Sequence, residues 1–277
     1  MDVRHLLRAY EQGVRDFAGV DLSGLDLKCV TLIGVNFRNA NLTGANFNRA
    51  FLTKADLSGA NLNWANLSCS KLSNARLIET DLTKANLTGA FMVKAKFPRA
   101  KLSGAILTHA NLRGANLWGA NLCGANLQRV NLRQANLSGA NLNWANLTEG
   151  RLSHAELYGT SLNGAILSRA FLKEVDLSGV DLEGVNLSEA RLGGANLEGA
   201  NLTRANLRAA QLQQANLKGV NLTGADLSEA LLRNANLMAA ILRGTNLTGA
   251  KLEGVLGQNS QVGVFELPDS CLMDAVG

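Results

Sequence analysis

Three kinds of side chain in this sequence could do chemistry, and their spacing decides among them. Histidine occurs at His5, His109 and His154. General acid–base catalysis needs such a group within hydrogen-bond reach of its partners, inside a concave site. His154 has Arg151 and Glu156 close in sequence, but no nucleophile falls in register with them. Cys29, Cys69, Cys123 and Cys271 form no Cys-x-x-Cys pair and have no nearby histidine at ligand spacing, so no metal is expected. Neither a Gly-x-Ser-x-Gly elbow nor a glycine-rich phosphate loop is present. The residues therefore predict no catalytic group, no cofactor and no metal. The third kind is basic. Lys54, Lys71, Lys94, Arg113, Arg133, Arg151, Lys173, Arg191, Arg233 and Lys251 recur along the chain with Phe51, Phe91 and Phe171 among them. Cations interleaved with aromatics suit an acidic protein, a nucleic acid or an anionic lipid.

What positions these residues is a period of five. From Leu22 to Leu252 every fifth residue is large and apolar: Leu at all of the 47 positions except Phe37, Phe47, Met92 and Phe97. Two residues earlier stands a small residue, mostly Ala or Val, and between the two stands mostly Asn or Asp, as in Ala40-Asn41-Leu42-Thr43-Gly44. A helix buries a residue every 3.6 positions and a strand every two. Period five fits neither. It fits a coil that turns a corner after each quintet, so that four corners close a square in twenty residues. Successive coils then stack at about 4.8 Å, the spacing of paired strands, and satisfy each other's backbone groups. The central residue and the small one point inward, because a cross-section filled only with large side chains would exceed native packing density.

The unit Ala-Asn/Asp-Leu-x-x, repeated in phase without a break, resembles the pentapeptide-repeat family. The resemblance implies an all-β fold, a right-handed quadrilateral β-helix of about 12 coils at that spacing. The expected organisation is a helical cap at 1–16, the repeats at 17–256 and a tail at 257–277. Val3, Leu6, Leu7 and Tyr10 have helical spacing, with Asp2 as N-cap and Gly13 as the stop. The cap would cover the apolar end of the solenoid. The tail, with Val264, Phe265 and Leu267 beside Glu266, Asp269 and Asp274, is read as a second cap or a dimer contact. A stretch shared by Leu57–Leu67 and Leu137–Leu147 points to duplication of a four-coil block, with Trp64 and Trp144 on one face.

Residues twenty apart share a face, so charge can be sorted by position. Three faces balance. The face centred on 32, 52 and 72 carries all ten basic residues named above against only Glu174 and Glu253. Phe51, Phe91, Phe171 and Leu231 are expected to be exposed among them. The net charge of +5 thus collects on one side. Cys29 and Cys69 share a face two coils apart, about 9.6 Å, too far for a disulfide. Free thiols suit a reducing compartment, and the chain has neither an apolar run long enough for a membrane span nor a signal-peptide core. Cytoplasm follows as the expected location.

The function expected is a non-catalytic protein-interaction scaffold working through the basic face, as a monomer or a dimer through its C-terminal end. An acidic or regulatory protein is the expected partner, ahead of nucleic acid, whose groove a straight stripe cannot follow. The layout, in which Gly13-Val14-Arg15-Asp16-Phe17 leads from a short helix into the repeats, resembles cyanobacterial members of the family concerned with heterocyst differentiation, which implies a regulatory role. The alternatives are a gyrase-binding DNA mimic, which would need a dense acidic surface, and a structural rod.

Overall fold

The computed structural model describes residues 1–257; the expectation for the tail lies outside the described residues, apart from its first residue, Gly257. The chain divides into two compact units, the first Met1–Ser161 and the second beginning at Leu162. Helix α1, Val3–Glu11, opens unit 1. The Asp2 side chain accepts from the His5 N–H at 2.8 Å, as an N-cap should. Leu6 is fully buried. The Tyr10 hydroxyl donates to the Ile33 carbonyl at 3.0 Å, which ties α1 to the first coil. Phe17, Phe37 and Phe47 then stack in tilted pairs with ring centroids 6.0 and 6.4 Å apart.

The pentads build the remainder. In unit 1, parallel bridges join each residue before a central Leu to the residue twenty further on, from Asp16–Asn36 to Asn141–Ser161. In unit 2 the same register runs from Ile166–Asn186 to Asn236–Leu256. Four quintets therefore make one lap in each unit. Among the described residues none belongs to an extended strand: each side of a coil contributes a single bridging residue. The all-β expectation holds as pairing, not as strands, because a corner arrives before a second residue can join the ladder.

The pentad Leu42–Asn46 shows why the sequence does this, since all five of its amides find acceptors. Leu42 donates to Asn61 O at 2.7 Å and Gly44 to Asn63 O at 2.8 Å, both in the next coil; Asn46 donates to Leu25 O at 2.9 Å in the coil before; and Ala45 closes a β-turn on Leu42 O at 3.0 Å. The fifth amide, Thr43, faces outward and is taken by the Asn41 side chain at 3.3 Å. Asn or Asp before the centre is thus a cap for the turn. Ladders link these caps from coil to coil, as in Asn66 Nδ2 to Asn46 Oδ1 at 3.2 Å. The third turn residue has positive φ whether it is Gly44 (+65°) or Lys54 (+61°), the feature that type II turns require.

Inside, the central residues and the residues two before them are buried through most of both units; Val20, Leu25 and Val30 in the first coil and Thr245, Leu247, Leu252 and Val255 in the last are half-buried. The buried hydroxyls are satisfied: Ser70 donates to Leu67 O at 2.6 Å, Thr80 to Leu57 O at 2.7 Å and Thr160 to Leu137 O at 2.9 Å. Thr80 and Thr160 stand eighty residues apart and bond alike, in keeping with the four-coil duplication. Trp64 and Trp144 are exposed at turn corners of unit 1, and Lys84 Nζ sits 4.6 Å from the Trp64 ring centre.

Candidate interaction face

The side of unit 1 that follows centres 32, 52, 72 and onward is held in one column by the bridges Thr31–Phe51–Lys71–Phe91–Asn111–Asn131–Arg151. Each coil from Leu52 to Leu152 places one cation on this side: Lys54, Lys71, Lys94, Arg113, Arg133 and Arg151. No aspartate or glutamate accompanies them there. Among the described residues Lys54, Lys94, Arg113 and Arg133 are exposed and make no ion pair. Lys71 is half-buried, with its Nζ 3.4 Å from the Phe91 ring centre, a cation–π contact.

Unit 2 carries a column of its own, Phe171–Arg191–Gln211–Leu231–Lys251. Its two acids are both engaged: Lys173 Nζ lies 3.4 Å from Glu174, and Arg233 Nε 3.9 Å from Glu253. Arg191 lies over the Phe171 ring at 4.5 Å, while Lys251 is exposed. The expectation of exposed aromatics needs correction here. Phe51 and Phe91 are exposed, but Phe171 and Leu231 are half-buried. The Arg191 guanidinium covers part of the Phe171 ring, so that apolar surface is partly used within the fold.

One feature of this side escapes charge counting. On the other three sides most residues before the centre are Asn or Asp, and each caps the amide two residues on, as Asp81 does for Thr83 and Asn126 for Gln128. On the basic side of unit 1 only Asn111 and Asn131 do so, for Arg113 and Arg133. Where Phe51, Lys71 and Phe91 replace them, the amides of Thr53, Ser73 and Val93 have no acceptor among the described residues. The signal lay in the sequence as a column depleted of Asn and Asp, but its meaning depends on knowing that those residues cap an outward amide.

Elsewhere the same caps act on acids. Asp176 and Asp226 are held below the usual carboxylate range, first by the backbone amides of Ser178 and Ser228 and further by Asn196 and Asn246. The three histidines stay apart in role: His5 Nδ1 lies 3.0 Å from Asp2 beside the N-cap, and His109 and His154 occupy turn corners. Cys29, Cys69 and Cys123 are free thiols. Among the described residues no group of three or more metal-ligating side chains converges, and no helix is long and apolar enough to cross a membrane. An open groove of about 400 Å³ lies beside α1, lined by Leu7, Tyr10, Glu11, Lys28, Cys29, Val30 and Thr31.

A family profile described as pentapeptide repeats matches this chain in eight copies between residues 16 and 254, the first over 16–53 and the last over 215–254. The chain belongs to the pentapeptide-repeat family. Each unit is accordingly a right-handed β-helical solenoid. Among solved structures it is similar to HetL, a pentapeptide repeat protein involved in heterocyst differentiation regulation from the cyanobacterium Nostoc, with 32% identity over 92% of this chain and 94% of that one, at a TM-score of 0.39. It is also similar to a pentapeptide repeat protein of the Arabidopsis thaliana thylakoid lumen, with 32% identity over 34% of this chain and 66% of the other, TM-score 0.34. QnrB1, a plasmid-mediated fluoroquinolone resistance protein, is 20% identical over 84% and 90% of the two chains, TM-score 0.31. No curated protein matches.

Proposed function

We propose that this protein is a non-catalytic interaction scaffold whose basic face, on unit 1, docks an acidic protein partner in the cytoplasm. The observation that carries the proposal is the run of six coils, each presenting one cation and no acid on the same side. Like charges brought together at an interface cost several kcal/mol, so a side of single sign rejects basic partners, selects acidic ones and speeds their encounter. The finer reading is a regulatory role of the kind that HetL's description gives for heterocyst differentiation. It draws on the 32% sequence identity over nearly the whole of both chains. The DNA-mimic alternative needs a densely acidic surface, and among the described residues no side of either unit is more than one charge negative.

The test compares proteins captured from source cells by three baits: wild type, Lys94→Glu/Arg113→Glu/Arg133→Glu, and the control Arg38→Glu/Arg49→Glu/Lys96→Glu. The control changes charge equally on the other sides of unit 1. Surface changes of this kind leave folding within about 0.5 kcal/mol each. Partners shared by wild type and control but lost by the first variant are expected. Identical partners on all three baits would overturn the proposal.

A further inference from the structure

We propose that the element recognised by this face is an acidic α-helix lying along the axis of unit 1, with one carboxylate meeting each coil. The inference rests on the docking role proposed above and specifies its occupant. It comes from an exchange of donors along the column. In three successive coils the cation is a lysine, Lys54, Lys71 or Lys94, and the same coil leaves a backbone amide open, at Thr53, Ser73 or Val93. In the next two coils the amide is closed by Asn111 or Asn131, and the cation becomes an arginine, Arg113 or Arg133. Lysine offers a carboxylate one point charge, whereas arginine offers a two-pronged fork. Both arrangements therefore give a carboxylate two donors per coil: ammonium plus amide, then guanidinium alone. On the other three sides of unit 1 open amides are isolated, because Asn and Asp cap their neighbours.

Spacing selects the helix. Coils repeat at about 4.8 Å and a helix advances about 5.4 Å per turn, so five carboxylates drift only about 2.4 Å from five coils. Long lysine and arginine side chains absorb that drift. An extended peptide presents same-side residues about 6.7 Å apart and is out of step by about 8 Å at the fifth coil. Strand addition is also closed to it, since the bridging residues already pair with the coils above and below, leaving no edge of alternating donors and acceptors. A single-stranded nucleic acid would need a run of open aromatic faces for successive bases; this side of unit 1 offers only Phe51 and Phe91, two coils apart, and Lys71 already lies over the Phe91 ring.

The test uses the full chain and two alanine-rich helical peptides of one composition. One aligns five glutamates on a single face by alternating steps of three and four residues; the other distributes them around the helix. Binding is measured by titration calorimetry at low and at physiological salt, beside a thymidine oligonucleotide of equal charge. The aligned peptide is expected to bind at least about tenfold tighter than the distributed one. Arg113→Lys/Arg133→Lys, which keeps the charge but removes both forks, is expected to weaken only the aligned peptide by several-fold. Equal binding of the two peptides, or tighter binding of the oligonucleotide, would overturn the helix. Because capture of cellular partners is measured separately, its loss alongside equal peptide binding removes the helix alone. Unchanged capture removes the docking role beneath it.

Discussion

Leu122 and its neighbour Asn121 give the sharpest contrast between the inside and the outside of a coil. Leu122 is wholly buried in unit 1, stacked in register between the central residues of adjacent coils, Leu102 and Leu142. Its backbone donates to Asn141 O at 2.7 Å, and the walls around it are fixed by similar bonds on all four sides. Such a site cannot collapse to fill a void. Leu122→Ala should therefore cost about 3–5 kcal/mol, the upper part of the range for buried leucine truncation. Asn121→Ala removes only the outward cap on the Cys123 amide, a bond of 3.1 Å that water can replace, and should cost about 1 kcal/mol. The assay is chemical denaturation followed by circular dichroism, with hydrogen exchange to locate the loss. Stacked repeats need not unfold in one step, so protection in the flanking coils should fall first and furthest. A cost for Leu122→Ala no greater than that for Asn121→Ala would refute the inward assignment and the packing argument with it.

Further outcomes follow from turns, charge and pH. Gly44 has φ of +65° and nothing near the position that a Cβ would take, so Gly44→Ala should cost about 1 kcal/mol in melting experiments through backbone conformation alone. An unchanged or higher melting temperature would contradict the left-handed corner. Asp176 and Asp226 have folded-state pKa values below those of the unfolded chain. Their contribution is therefore complete above the ordinary carboxylate value of about 3.9 and is lost as pH falls through the lower folded value. Asp176→Asn/Asp226→Asn keeps the accepting oxygen and removes the titration. Its melting temperature should fall less than that of wild type below about pH 4, while the two agree at neutral pH within a small screened difference; parallel curves would argue against the caps. Binding of an acidic partner to the basic face should weaken steeply with added salt, and insensitivity to salt would argue that the cations are bystanders.

Much of the fold was legible because one buried side chain in every five leaves few geometries open. Leu42, Leu62 and Leu82 had to share a wall if the phase never broke, and the bridges Asn41–Asn61–Asp81 have that register. Strand content was harder to read: periodicity reports which side chain is inside, not how many residues pair before the chain turns. The basic column was legible as charge at Lys54, Lys94 and Arg113. Its aromatics were not, because whether Phe171 is exposed depends on where the Arg191 side chain settles. The open amides of Thr53, Ser73 and Val93 required the hydrogen-bond pattern of a whole pentad before their missing caps could be recognised. The division into two units also left no mark on the repeat, whose phase continues unchanged through Ser161 and Leu162.

The central claim is that unit 1 returns to the same side every twenty residues, which keeps its cations on one side that a partner can read. Spin labels at Thr53→Cys and Arg133→Cys, in a chain whose native cysteines are replaced by serine, test it by pulsed electron resonance. Four laps predict a narrow distribution centred near 19 Å, from about 4.8 Å per coil. A broad distribution, or one lengthened by the width of the coil, would put the two positions on different sides and contradict the account.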